Sequence, residues 1–278
     1  MNKTLLQIKA VYDELGKSEK KIADWVFKNP DEVLPISISE LADKSNSSEA
    51  TIVRFSRRLG FSGFQDFKIS FANYSGEKLT NANIDKNDSC MEIFGKLLED
   101  IYTSLEKTKN TLDEKELEKA SELISNAGKV VVFGLGNSAS VALDASHKFL
   151  RAGINCYSYS DNHMQAIAAS HLERSDVAVG ISHSGSSKDV VEALQIAKEM
   201  GASTISITGS AKSPITKYSD VVLTTVADET RYSILGLNSR IVQLVIIDSL
   251  YFHIICKHDK KTLDAIKATE NSLKRKKY

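Results

Sequence analysis

Two short segments concentrate the residue types needed to hold an anion: Gly134-Leu-Gly-Asn-Ser138 and Ser182-His-Ser-Gly-Ser-Ser187. Glycine lets backbone approach a ligand closely, serine hydroxyls donate hydrogen bonds, and a helix starting directly after such a loop offers unpaired N–H groups with partial positive charge. Both loops therefore read as phosphate cradles. A lone Gly-x-Gly after a strand also makes a plain tight turn, whereas a run in which five of six residues are Ser or Gly would be a poor loop unless it held something. A third constellation is cationic. At about 100° per residue, Ile52, Phe55 and Leu59 share one side of a helix, and Ala50, Arg54, Arg57 and Arg58 gather on the other. An arginine-rich outer face opening with Ser48, Glu49 and Thr51 suits insertion into the DNA major groove. There, an arginine fork on guanine contributes roughly 1–3 kcal/mol of discrimination.

The elements that must position these residues follow from hydrophobic spacing. Runs rich in β-branched residues at Lys129–Phe133, Ile154–Tyr159, Asp176–Ile181, Ser203–Ile207 and Asp220–Thr224 predict five strands, separated by helices such as Ser138–Ala152 and Ser187–Met200. Strands alternating with helices predict a doubly wound parallel sheet, with ligands bound at the strands' carboxyl ends near the switch in strand order. Upstream the pattern is all helical. Ser18–Lys28 ends at Asn29-Pro30; Ile38–Ser45 is a short helix, Asn46 takes a left-handed turn, and Ser48 caps a second helix that Gly60 stops. Phe61, Phe64, Phe67 and Phe71 recur at helical spacing and read as core beneath that second helix rather than as a base-stacking platform. The polar stretch Ser75–Ser89 reads as a linker, followed by helices at Cys90–Lys109 and Asp113–Ser125. The expected organisation is a helix-turn-helix domain at 1–77, a linker and connecting helix at 78–109, a sheet domain at 110–260 and a basic tail at 261–278.

At about 100 to 200 residues per domain, 278 residues suit this division. Thirty-six basic residues against thirty-six acidic leave no net charge, excluding whole-molecule attraction to nucleic acid or an anionic membrane. Residues 1–77 alone hold eleven of each sign, so DNA binding must rest on the local patch and on pairing two copies. Cys90, Cys156 and Cys256 are too dispersed for a metal site or a disulfide framework. Charges through the first twenty residues leave no secretory signal, and the apolar stretch Ile241–Cys256 contains Asp248 and reads as a buried helix rather than a span. A cytoplasmic protein without a membrane anchor is expected.

The segment SISELADKSNSSEATIVRFSRRLGFSGFQDFK resembles the helix-turn-helix domain of RpiR-type transcriptional regulators, departing from it at Ser45 and Ser47, where that family usually carries Ala and Val. From about Leu117 to Lys257 the chain resembles the SIS, or sugar isomerase, domain, through VVVFGLGNSAS, VAVGISHSGSSKDVVEALQIAKEMGA, SITGSAKSPITKYSDVVL and LNSRIVQLVIIDSLY. That resemblance implies a flavodoxin-like sheet that binds phosphosugars. It also implies that Ser138, Ser182, Ser184 and Ser187 contact the ligand phosphate, while Gly136, Asn137, Gly185 and Ser186 shape the cradle. A dinucleotide site fits less well: Ala139 stands where a third glycine is usual, and no acidic residue follows the second strand until Asp161.

Isomerising a phosphosugar would require a general base. Glu229 is a candidate, or else the partner of a sugar hydroxyl; His147, His163, His171 and His183 lie in the same domain, His183 either touching ligand or facing solvent. Spacing identifies no acid and base pair. The expected protein is a DNA-binding regulator of carbohydrate genes, with a phosphorylated sugar as effector, operator DNA as partner, no cofactor, and a homodimer or homotetramer as its assembly. A phosphosugar isomerase or lyase is the competing reading.

Overall fold

A computed structural model describes residues 3–34, 36–71, 84–227, 237–257, 260–274 and 276. The chain forms two compact units, the first built mainly from Met1–Thr103 and the second mainly from Ser104–Ala211, Ile215–Ala227 and Ser239–Tyr278.

The first unit is helical: α1 (Lys3–Val11), α2 (Lys17–Lys28), α3 (Ile38–Lys44), α4 (Glu49–Arg58) and α5 (Phe64–Phe71). Local chemistry sets the boundaries of the central pair. Ser37 and Glu40 form a capping box that starts α3. Asn46 takes a left-handed conformation with φ 46°, and the Ser47 amide reaches back to the Ala42 carbonyl at 2.9 Å, the closure of a Schellman turn. Ser45 and Ser47 are accommodated: the Ser45 hydroxyl donates to the Leu41 carbonyl and lies 2.8 Å from that of Ser47. Ser48 caps α4 through the Thr51 amide, and Gly60, at φ 93°, ends it. Ile22, Leu41, Ile52, Phe55 and Phe67 lie in one buried core. Phe67 is its hub, with ring centroids 5.7 Å from both Phe55 and Phe61 and 5.1 Å from Phe71, so the aromatic series is core.

α6 (Cys90–Thr111) crosses the division at Thr103 and Ser104, and the second unit continues with α7 (Glu114–Asn126), then alternates β1 (Val130–Gly134), α8 (Asn137–Arg151), β2 (Cys156–Tyr159), α9 (Asn162–Ser170), β3 (Val177–Ile181), α10 (Lys188–Glu199), β4 (Ser203–Thr208) and β5 (Val221–Thr224). It ends with α11 (Leu237–Lys257) and α12 (Lys260–Lys274). All strand pairs are parallel, in the order β2-β1-β3-β4-β5. β1 and β3 are buried along their whole length, as strands covered on both faces must be. On one face Val132, Val179 and Ile207 pack with Val141 and Phe149 of α8 and Ile246 and Leu250 of α11; on the other Val131, Phe133 and Ala178 pack with Val190 and Leu194 of α10.

Two boundaries differ from the sequence-based expectation. β2 begins at Cys156 rather than Ile154, because the Ile154 amide bonds back to Phe149 and closes the end of α8 through Gly153, at φ 82°. α11 begins at Leu237, four residues before the apolar run; its length and composition would suit a membrane span, yet Ile246, Ile247, Leu250 and Ile254 are buried in the sheet's core. Burial also pushes the Cys156 thiol up to about 12.

A polar knot fixes the start of β5. Asp220 accepts from the Lys198 ammonium at 2.9 Å and from the Thr204 amide and hydroxyl at 3.0 and 2.9 Å. Burial works against its charge, but these donors together hold the carboxyl below its ordinary range. A depressed carboxyl stabilises the fold above its unfolded pKa and loses that contribution as pH falls through the folded value. Asp220→Asn therefore lowers stability by about 1–2 kcal/mol at neutral pH, allowing for partial exposure. Denaturant midpoints of variant and parent converge as the pH is taken below the carboxylate range. In the first unit, Asn46→Val costs about 1–2 kcal/mol because a branched side chain resists positive φ, whereas Asn46→Gly is neutral or stabilising; thermal melts of the two variants distinguish them.

Candidate ligand site and nucleic-acid interface

Gly134 of β1 and Ile181 of β3 are register partners, so the two serine-bearing loops leave adjacent strands at the same level. The order β2-β1-β3-β4-β5 reverses direction between these strands, and the helices that follow diverge, α8 to one face and α10 to the other. A crevice with two helix starts along its edges results, at the position where open parallel sheets hold ligands.

The first loop needs its glycines. A Cβ on Gly134 would lie 2.6 Å from the Ser138 carbonyl oxygen, and Gly136 has φ 55°, so the turn into α8 closes only without side chains there. α8 begins at Asn137 with no side-chain cap, and the Ser138 and Ala139 amides bond back to the Leu135 and Gly136 carbonyls at 3.1 Å each. Asn137 is exposed and Ser138 half-buried. In the second loop Ser182 is buried and donates to the Ser187 hydroxyl at 3.1 Å, spanning the loop from strand end to helix start. Gly185, at φ 62°, receives a bond from the Ile215 amide on its carbonyl; the Ser186 amide donates to the Ser184 hydroxyl at 3.3 Å. Ser187 precedes α10 without capping it. Neither loop contains Lys or Arg, and Lys188 at the start of α10 pairs with Glu192 at 3.3 Å. Among the described residues the two loops offer hydroxyls, amides, the His183 ring and two helix starts.

His183 is half-buried with its ring against Gly209, where a Cβ would stand 2.6 Å from Cε1. His147, His163 and His171 are exposed, and Glu229 lies outside the described residues. Among the described residues no cluster of His, Cys, Asp and Glu suits a metal ion. Sequence reasoning passed over Gln165. This fully buried residue of α9 donates its amide to the last carbonyls of β1 and β2, Gly134 at 3.2 Å and Tyr159 at 2.9 Å, and so braces the strand end that carries the first loop. The signal for it was an amide among the small and apolar residues of Asn162–Ser170.

On α4 and its cap the exposed residues include Ser48, Ala50, Arg54, Arg57 and Arg58, opposite buried Ile52 and Phe55. The arginines differ in freedom. Arg58 donates to the Glu14 carbonyl at 2.9 Å and pairs with Glu19 at 3.3 Å, anchoring it within the unit. Arg54 donates to the Thr51 hydroxyl at 3.3 Å, and Arg57 donates to the Ser62 carbonyl at 3.4 Å. Thr51 is buried with its hydroxyl 2.8 Å from that of Ser48, and Glu49 accepts from Ser39. Arg54 and Arg57 thus carry the cationic face, with Arg58 committed to the fold.

Comparison with known proteins matches both units. Residues 2–78 match the family model for the helix-turn-helix domain of the rpiR family, and residues 123–253 match that of the SIS domain. An uncharacterised HTH-type transcriptional regulator, TTE0211, of Caldanaerobacter subterraneus subsp. tengcongensis is 37% identical over 274 residues, covering 98% of this chain and 96% of that protein. The HTH-type transcriptional regulator HexR of Escherichia coli is 32% identical, covering 99% and 95%. Among solved structures, the Vibrio vulnificus NanR protein complexed with ManNAc-6P is similar in fold, with TM-score 0.85, 23% identity and 99% of each chain covered. With relatives this similar along nearly their whole length, a helix-turn-helix head and a SIS domain in one chain, the protein belongs to the rpiR family of HTH-type transcriptional regulators.

Proposed function

We propose that this regulator reads operator DNA with α4 and binds a phosphorylated sugar in the crevice between the β1 and β3 loops, occupancy of the crevice changing its grip on DNA. The observation that carries the reading is the shared register of Gly134 and Ile181, from which two serine-bearing loops lead into helices. Ser138, Ser182, Ser184 and Ser187 hold the phosphate, within a backbone shaped by Gly136, Asn137, Gly185 and Ser186. The description of NanR as complexed with ManNAc-6P supports a phosphosugar as the ligand class. The regulator binds its sugar without turning it over, in keeping with relatives named as transcriptional regulators.

Two copies act together in the cytoplasm, as a homodimer or within a homotetramer. Val245 and Phe252, exposed on the outer side of α11, are the first candidates for the subunit contact. Paired heads then read half-sites about 34–36 Å apart or at a multiple of that distance.

Arg54→Ala and Arg57→Ala each weaken binding to a fragment of the regulator's own upstream region by about 10- to 100-fold in mobility-shift titrations, while sugar affinity is unchanged. Ser184→Ala combined with Ser187→Ala does the reverse. It abolishes the thermal stabilisation given by phosphorylated hexoses, hexosamines or pentoses, and DNA affinity without sugar stays at the parent value. A parent protein whose melting temperature none of these sugars moves would refute the reading.

A further inference from the structure

A buried polar atom left without a partner costs a folded chain free energy, so such atoms are few and each calls for an explanation. In the second unit, Thr225 Oγ1 and Gln243 Nε2 are fully buried and make no hydrogen bond. Both residues are almost wholly enclosed, Thr225 at 0% and Gln243 at 1% exposure.

Chain geometry locates each of them. Thr225 directly follows β5, its amide bonded at 2.8 Å to the carbonyl of Thr208, the last residue of β4. Strand alternation sets its side chain on the face of Val221 and Leu223, the face that α11 covers with Ile246, Ile247, Leu250 and Ile254. Gln243 lies one turn before Ile246 and Ile247 on that sheet-facing side. The direction of α11 follows from His253, whose Nδ1 lies 2.7 Å from the hydroxyl of Ser121 on α7. α7 ends at Asn126, just ahead of the amino end of β1, so His253 belongs to the amino half of the sheet. Gln243, ten residues earlier and about 15 Å along the helix, belongs to the carboxyl rim where the phosphate loops open. Ser206 Oγ, also buried without a partner, sits inside β4 in register with Gly180, below that rim.

We propose that Thr225 and Gln243 form the sugar-reading end of the ligand site, where a hydroxyl and a carboxamide hydrogen-bond the hydroxyl or carbonyl oxygens of the bound sugar while the serine loops hold its phosphate. The proposal rests on the phosphosugar reading above and deepens it. Both groups are neutral and can donate, so this end of the site is suited to an uncharged polyhydroxyl body. Left unpaired without ligand, they are paired when it binds. That differential places their contribution in recognition rather than in folding.

Near-isosteric variants separate these roles. Thr225→Val and Gln243→Met are titrated calorimetrically with glucose 6-phosphate, fructose 6-phosphate, glucosamine 6-phosphate, N-acetylmannosamine 6-phosphate and arabinose 5-phosphate, and their ligand-free melting temperatures are measured. Each variant is expected to raise the Kd of every sugar the parent binds by about tenfold and to melt at or above the parent temperature, since an unpaired buried group has gone. Thr225→Ser, which keeps the hydroxyl, restores binding. Unchanged affinity in both variants overturns the proposal and leaves the phosphosugar reading standing. A lower ligand-free melting temperature makes the groups structural and also overturns it. A parent protein that binds none of the five sugars removes the broader reading and the proposal together.

Discussion

Because Gly134 is held in parallel register with Ile181, β1 and β3 release their chains side by side at one level of the sheet, and the crevice between their loops follows from that pairing. Both strands are buried on both faces, so each chain must leave through a helix that covers one face, and here the helices take opposite faces. Neither α8 nor α10 carries a side-chain cap at its start. At α8 the Ser138 and Ala139 amides are satisfied by the Leu135 and Gly136 carbonyls, so the start of α10 has more donors to offer where the two loops meet. Gly134, Gln165 and the Ser182–Ser187 hydroxyl contact all keep those starts in place.

The helical head depends on a different constraint, the packing of one aromatic hub against the inner side of α4. Phe67 and Phe55 meet edge to face in the core, so one side of α4 is fixed inward and the opposite side must present Arg54 and Arg57. The tight turn before it is set by backbone geometry at Asn46 and by serine hydroxyls that satisfy the helix end locally. The cationic face is thereby positioned by packing within the helical unit.

Much of this was legible in the sequence, wherever local chemistry and periodicity point the same way. The β-branched runs gave all five strands, and Asn46, Ser48 and Gly60 marked the helix-turn-helix with its caps, because φ > 0 and N-cap bonds are demands on single residues. What escaped depends on contacts distant in sequence. Arg58 looks on a helical wheel like its neighbours, but Glu14 and Glu19 claim it from across the fold. Thr51 begins a polar helix start, yet the packing of α4 buries it. Gln165 and Gln243 are amides in apolar surroundings, and only the packed sheet shows that one braces two strand ends and the other meets no partner. Glu229, by contrast, lies outside the described residues.

The lack of Lys and Arg in the two described loops bears on what kind of switch this fold supports. A phosphate monoester carries about −1.5 to −2 charges near neutral pH, and two helix starts offer roughly +0.5 each. Hydroxyls and amides must therefore hold much of the anion by hydrogen bonding, which favours moderate and reversible binding over tight capture. Full conversion between two DNA-binding states would need about 5.5 kcal/mol of differential affinity, whereas couplings between sites typically lie at 1–3 kcal/mol. A loop pair of neutral donors belongs to the lower range. For the proposed phosphosugar effector, the physics of the two loops favours a promoter occupancy that follows ligand concentration by degrees.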